Sequence, residues 1–120
     1  MGNAPESQSL KNRIHNRVPC HSIGEIVLED GSHEIHLLDV SSGGCKVKLP
    51  YAPEGGVLAQ DLPVEFVLTS GSTSIPGAFI WFMSGMFGCN FYEHILLDTI
   101  AQIMNGKFRV RLLPKAPADV

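Results

Sequence analysis

The sequence of 120 residues has no uninterrupted apolar run that approaches the about 20 residues a membrane-spanning helix requires. Its first nine residues are polar and lack the apolar core of a secretion signal. The three cysteines are odd in number and widely separated, without a Cys-x-x-Cys pair, so no disulfide framework is indicated. These absences predict a soluble, cytoplasmic protein whose thiols are reduced.

The sequence also lacks an excess of positive charge. Its formal net charge is −3, with 18% charged and 44% hydrophobic residues. A protein that coats DNA or RNA depends on many phosphate contacts, so this balance argues against a nucleic-acid polymer as the partner. A small phosphate ligand remains compatible, because it needs only a few well-placed cations. The length predicts a single globular domain.

Signatures of catalysis and of metal binding are missing as well. There is no Gly-x-Ser-x-Gly elbow and no Walker phosphate loop, so we expect no enzyme. His33 and His36 are three residues apart on a predicted strand and therefore point to opposite faces, and Cys20 and His21 are adjacent. Neither pair can share a metal ion, so the sequence predicts no metal site and no cofactor.

Turn-forming residues, by contrast, are abundant. Twelve glycines and eight prolines divide the chain into short segments, many of which alternate apolar and polar residues as half-buried strands do. Asp30-Gly31 is a strong hairpin signal of the type I′ class, and Pro76-Gly77 indicates an edge or a bulge. The predicted strands are 22–29, 33–40, 45–49, 63–68, 75–82 and 86–91, with a loop at 51–61. Six short strands with brief connections favour a small barrel or sandwich.

The pattern changes to helical spacing after the sixth strand. Leu96, Ile100, Ile103 and Met104 would form one apolar stripe, and Asn105-Gly106 marks the helix end. Residues 107–112 alternate basic and apolar side chains, as an added strand or an extended arm would. We therefore divide the chain into a disordered lead (1–9), a barrel with its helix (10–106), and a C-terminal arm and tail (107–120).

Two short motifs carry the chemistry. Arg13 and Arg17 form Arg-x-x-x-Arg, and Asp39, Ser41 and Gly44 form Asp-x-Ser-x-x-Gly. A guanidinium can hold two phosphate oxygens or the O6 and N7 acceptors of guanine, and a carboxylate accepts from the guanine N–H edge. Alone, the first motif is more often a pair of solvated charges and the second an ordinary turn. Together, they match a ligand with both purine bases and phosphates.

In this order and spacing, ahead of a run of strands, the motifs resemble the PilZ domain, the bacterial receptor module for cyclic di-GMP. The resemblance covers about residues 11–104 and includes Trp81 and the Gly88-Cys89-Asn90-Phe91 stretch before the helix. It implies a mainly β fold, a six-stranded antiparallel β-barrel with a C-terminal α-helix. By position it nominates these residues for cyclic di-GMP binding: Arg13, Arg17, Asp39, Ser41 and Gly44, with Lys11, Gly43 and Trp81 as additional candidates.

The resemblance implies a receptor or adaptor that signals to a downstream protein, in motility, biofilm and exopolysaccharide, or virulence control. We expect the arginine segment to close over the barrel when the ligand binds. One alternative is a ligand-free interaction module of the same fold that docks a partner through Lys107, Arg109 and Arg111. The other is a small nucleic-acid-binding barrel, which the charge and the few aromatic residues disfavour.

Overall fold

A computed structural model describes residues 17–114. These residues form seven strands and two helices. In chain order they are β1 Val18–Leu28, β2 Gly31–Val40, β3 Gly44–Lys48, α1 Gly56–Gln60, β4 Val64–Ser70, β5 Thr73–Met83, β6 Met86–Phe91, α2 Leu97–Asn105 and β7 Arg109–Leu112.

The strands close into a barrel in the order β1-β2-β3-β6-β5-β4-β7, with β7 returning to β1. Every neighbouring pair is antiparallel except β1 and β7, which are parallel. The predicted β-barrel with a C-terminal helix is confirmed, but it has seven strands instead of six and is not wholly antiparallel. The extra strand comes from the alternating segment after α2, because Val110 enters the core while Arg109 and Arg111 remain outside.

The interior of the barrel is filled by the inward residues of each alternating strand. Phe79 is at its centre, with its ring centroid 4.8 Å from that of Phe66 and 5.7 Å from that of Phe87. All three rings are almost completely buried. Since burying a phenylalanine contributes about 1.5–3 kcal/mol, this cluster is a major source of stability.

The hairpins follow the turn chemistry with one difference of register. Leu28 is opposite Gly31, so Glu29 and Asp30 form the loop of the β1–β2 hairpin, which was predicted at Asp30-Gly31. Gly31 has φ 125° and Asp30 has no positive φ, so the type I′ assignment is wrong there. Ser84 and Gly85 instead adopt consecutive positive φ angles, 55° and 78°, in the β5–β6 turn.

Strand β5 is flanked on both sides, by β4 and β6, so the edge position considered for Pro76-Gly77 is wrong. The bulge lies further on, between Phe79 and Trp81. Gly77 is required by close packing, because a Cβ there would lie 2.4 Å from the Asn90 carbonyl oxygen. The predicted loop 51–61 contains the short helix α1.

Helix α2 begins later than its sequence pattern indicated. Ile100 and Ile103 are buried against the barrel, but Leu96 is the N-cap and is 74% exposed, so it does not belong to the apolar stripe. The helix ends at Gly106 as predicted. Its last turn is anchored where Ser22 Oγ donates to the Met104 carbonyl, at 2.5 Å. Within residues 17–114, neither helix has the length and apolar character needed to cross a membrane.

Candidate functional site

The two motifs meet at the start of β1. In the β1–β2 register Pro19 is opposite Asp39, which brings the chain just before β1 alongside the end of β2. Arg17 Nη1 donates to Asp39 Oδ1 at 2.9 Å, across 22 residues of sequence. The Asp39 side chain is only 15% exposed, whereas that of Arg17 is 39% exposed. One arginine and the aspartate of the second motif therefore form a single site; Arg13 and Lys11 lie outside the described residues.

A second cation approaches the same carboxylate. Lys46 is opposite Asp39 in the β2–β3 register, and its Nζ lies 3.7 Å from Asp39 Oδ2. Sequence reasoning missed Lys46, although the alternation of β3 places it on the outer face two residues after Gly44. Asp39 thus lies between two positive groups, with one carboxylate oxygen toward each of them.

The hydroxyl of Ser41 stabilises the motif loop, residues 41–44, through hydrogen bonds within it. Ser41 is buried, with 4% of its surface exposed. Its Oγ accepts from the Gly43 N–H and donates to the Gly44 carbonyl, both at 3.3 Å, while its own N–H donates to that carbonyl at 2.8 Å. The predicted role of Ser41 in contacting a ligand stays a prediction; in this structure its hydroxyl holds the turn.

Gly44 allows this loop to pack closely against β6. A Cβ on Gly44 would be 2.0 Å from the Cys89 carbonyl oxygen, a backbone atom that cannot move aside. The Gly43 carbonyl accepts from the Phe91 N–H at 2.8 Å, and the Ser42 carbonyl accepts from the Ile95 N–H at 2.9 Å. The loop is therefore fixed between β6 and the segment that leads to α2.

Trp81 lies in the same cross-strand row as the charged pair. The row runs Asp39, Lys46, Gly88 and Trp81 across β2, β3, β6 and β5. The indole covers Gly88, where a Cβ would lie 2.1 Å from Trp81 Cε2, and Trp81 remains 37% exposed. Three of the seven strand steps round the closed barrel, an arc of about 14 Å along its wall, separate Trp81 from Asp39, so the two side chains lie on different sides of the barrel.

Burial affects two of the thiols near this surface, Cys20 and Cys89. Burial, followed by the charge of Asp39, raises the pKa of Cys20 above its ordinary value. Burial raises the pKa of Cys89 further, and the hydrogen bond with Cys45 adds to the effect.

Chemically, the outer surface offers a fork of N–H donors at Arg17, an ammonium at Lys46 and an acceptor at Asp39. Arg17 matches phosphate oxygens or the acceptor edge of guanine, Lys46 matches a phosphate, and Asp39 matches the donor edge of guanine. Trp81 can stack on a base. Within residues 17–114 no group of three or more histidine, cysteine or acidic side chains is arranged to hold a metal ion.

Comparison with known proteins agrees with this geometry. A family model described as PilZ domain matches residues 11–109, which is most of the chain and includes both motifs. Searches among curated proteins and among solved structures gave no significant match.

Proposed function

Since the chain belongs to the PilZ domain family, we propose that it is a receptor for cyclic di-GMP that binds the nucleotide on the outer surface around Asp39. The observation that carries the proposal is the 2.9 Å contact between Arg17 and Asp39, which joins the two motifs at one place. PilZ domains are binding modules, so we propose a binding role and not a catalytic one.

Each residue has a role in this proposal. Arg17, with Arg13 of the same motif, holds phosphate and guanine acceptors; Asp39 accepts from the guanine N–H edge; Lys46 neutralises a phosphate. Gly44 keeps the loop of residues 41–44 close to β6, where the Gly43 carbonyl accepts from the Phe91 N–H. Trp81 supplies an aromatic wall at the far end of the row.

Ligand binding would change the partners of Arg17. Without nucleotide, one terminal nitrogen of its guanidinium is engaged by Asp39. A phosphate competes for that guanidinium and releases carboxylate oxygens for a guanine edge, so the segment that carries the two arginines closes over the ligand. The reorganised segment then forms or masks the surface that a downstream protein reads, in motility, biofilm and exopolysaccharide, or virulence control. The three free thiols suit a protein that acts in the reducing cytoplasm.

The position of β7 argues against the alternative, a ligand-free interaction module. Phe108 and Val110, the apolar residues that would dock a partner, are buried in the barrel. Arg109 is paired with Glu25, with its Nη2 2.9 Å from the Glu25 Oε1. Residues 108–112 are therefore part of the barrel.

Isothermal titration with cyclic di-GMP tests the proposal, using wild type, Arg17→Ala, Asp39→Ala and the control Arg109→Ala. Arg109 is a matched control, because it is also an exposed arginine paired with a carboxylate at 2.9 Å. Its partner Glu25 lies six residues further along β1 than Pro19, the residue opposite Asp39. We expect saturable binding for wild type and Arg109→Ala. Arg17→Ala and Asp39→Ala should each weaken binding about 10- to 150-fold, as expected for loss of a hydrogen bond to a charged group.

Absence of heat and of a thermal shift for the wild type would refute the receptor proposal. Equal weakening by Arg109→Ala would show that the charge, and not the site, is responsible. The closing step is tested separately by limited proteolysis at residues 11–17 with and without saturating cyclic di-GMP. Unchanged cleavage there would remove the closing step while leaving nucleotide binding intact.

A further inference from the structure

Two adjacent leucines at the start of α2 are left uncovered by the barrel. Leu96 and Leu97 are 74% and 79% exposed, the highest values among the large apolar side chains of residues 17–114. Neither belongs to the core, which α2 joins through Ile100 and Ile103. Contiguous exposed apolar surface is a common mark of an interaction site, so this leucine pair is a candidate docking surface.

The leucine pair lies beside the motif loop. The Ser42 carbonyl of that loop accepts from the Ile95 N–H at 2.9 Å, which holds the residue before Leu96 against the loop. Three residues before Ser42 is Asp39, whose carboxylate is 2.9 Å from the Arg17 guanidinium. The leucine pair is therefore close to the point where the chain that precedes Arg17 leaves the barrel.

The N-terminal segment, residues 10–16, is long enough to reach the leucine pair. Val18 is opposite Val40 in the β1–β2 register. A path from Val18 along the end of β2 and the motif loop to Leu96 measures at most about 20 Å, from strand spacing and Cα steps. The chain from Leu10 to Val18 can span about 26 Å. Leu10 can therefore contact Leu96 without any displacement of β1.

The segment also matches this surface chemically. Leu10 and Ile14 are its large apolar residues, and residues four apart share a face both in a strand and in a helix. Residues 10–17 contain three basic side chains and no acidic one. Glu93 and Asp98 lie on either side of the leucine pair in sequence and are exposed, and neither forms an ion pair within the described part of the chain. A basic segment with two apolar residues thus faces an acidic surface with two apolar residues.

We propose that the closed state of the receptor, which rests on the proposed function, is anchored by packing of Leu10 and Ile14 on Leu96 and Leu97. Cyclic di-GMP draws the two arginines of the first motif to Asp39, and the same movement brings the apolar residues onto the start of α2. This contact buries apolar surface only in the nucleotide-bound protein, so it adds to the affinity for the nucleotide. The start of α2 is then the part of the barrel whose accessibility the ligand controls.

A double-mutant cycle, measured by titration calorimetry of the full chain with cyclic di-GMP, tests the contact. The segment variant Leu10→Ser/Ile14→Ser and the surface variant Leu96→Ser/Leu97→Ser should each weaken binding about fivefold or more. The variant with all four changes should weaken it no further than either, because each pair of changes removes the same contact. Both leucines are exposed, and serine is a preferred residue at the N-cap that Leu96 occupies, so α2 is kept in the surface variant.

Val57→Ser is the matched control, because Val57 is also an apolar residue in the first turn of a helix and is 71% exposed. Its helix, α1, begins beside Phe82, at the end of β6 remote from the motif loop. This variant should bind the nucleotide as wild type does. Methyl NMR of leucine-labelled protein adds a direct readout: at saturating nucleotide, the signals of Leu96 and Leu97 should shift in wild type and remain at their nucleotide-free positions in the segment variant.

Unchanged affinity in the surface variant, or additive effects in the cycle, would overturn this inference while leaving the receptor proposal intact. Absence of nucleotide binding by the wild type would instead refute the receptor proposal itself. Self-association of the wild type that the surface variant loses, measured by sedimentation, would assign the leucine pair to a second copy of the chain and would also overturn the inference.

Discussion

Lys46 and Lys48 are two residues apart on β3, and only the first approaches Asp39. If a phosphate is bound there, Lys46→Ala should weaken cyclic di-GMP binding about 5- to 30-fold, because about 1–2 kcal/mol of charge-assisted contact is lost. Lys48→Ala keeps the same net charge change and should have little effect. Titration calorimetry at one ionic strength compares the two, and equal effects would indicate general attraction to the ligand's charge.

Trp81 is the single tryptophan of the chain, so its fluorescence reports one position. If Trp81 supplies the proposed aromatic wall for a base, cyclic di-GMP should change the emission; an unchanged emission would place the nucleotide away from Trp81. Gly88→Ala should shift the emission maximum to longer wavelength even without ligand, because the new Cβ displaces the indole from β6 into solvent. A Gly88→Ala spectrum identical to wild type would mean that the indole does not cover Gly88.

The raised thiol pKa values have a direct consequence for alkylation. At a given pH a raised pKa leaves less thiolate, so labelling of native protein with iodoacetamide should be slow for Cys20 and slower still for Cys89, which is completely enclosed. Labelling of Cys20 should accelerate as the pH rises, whereas Cys89 should react only after denaturation. Mass spectrometry of digested samples distinguishes the two; rapid native labelling of Cys89 would contradict the burial.

At the level of elements, β7 limits how far the chain can be truncated from its C-terminus without loss of the fold. Ending the chain after Gly106 removes the strand that joins β1 to β4, together with the buried Phe108 and Val110. We expect this truncation to abolish cooperative unfolding, since each lost core residue costs about 2–5 kcal/mol and both strands gain an open edge. Ending it after Pro114 should leave the thermal transition unchanged. Cooperative unfolding of the Gly106 truncation, measured by circular dichroism, would show that the barrel closes without β7.

Sequence periodicity could predict the elements whose signal is local. Strands β2 to β6 and the end of α2 follow from alternation, prolines and glycines close to each of them. The start of α2 could not be placed, because Leu96 fits the helical spacing but the barrel offers it no surface. The alternating pattern of β7 does not distinguish a strand from an extended arm, because its pairing with β1 depends on residues more than 80 positions away.

The residues of the candidate site also differ in whether local sequence predicts them. Motif spacing nominated Arg17 and Asp39, and the hairpin register between them explains why they meet. Lys46 was not nominated, because its place beside Asp39 depends on the β2–β3 register. Such cross-strand neighbours have no fixed sequence separation, so only the folded barrel shows them.

For the molecule as a whole, the parallel pairing of β1 with β7 sets the order of events during synthesis. The contact between Glu25 and Arg109 spans 84 residues, and such long-range closures make folding slow. While β7 is still inside the ribosome, β1 and β4 each lack a neighbour on one side. The barrel can therefore close only after almost the whole described chain has been translated. Until then the unpaired edges of β1 and β4 are prone to aggregation, and we expect chaperones to bind there.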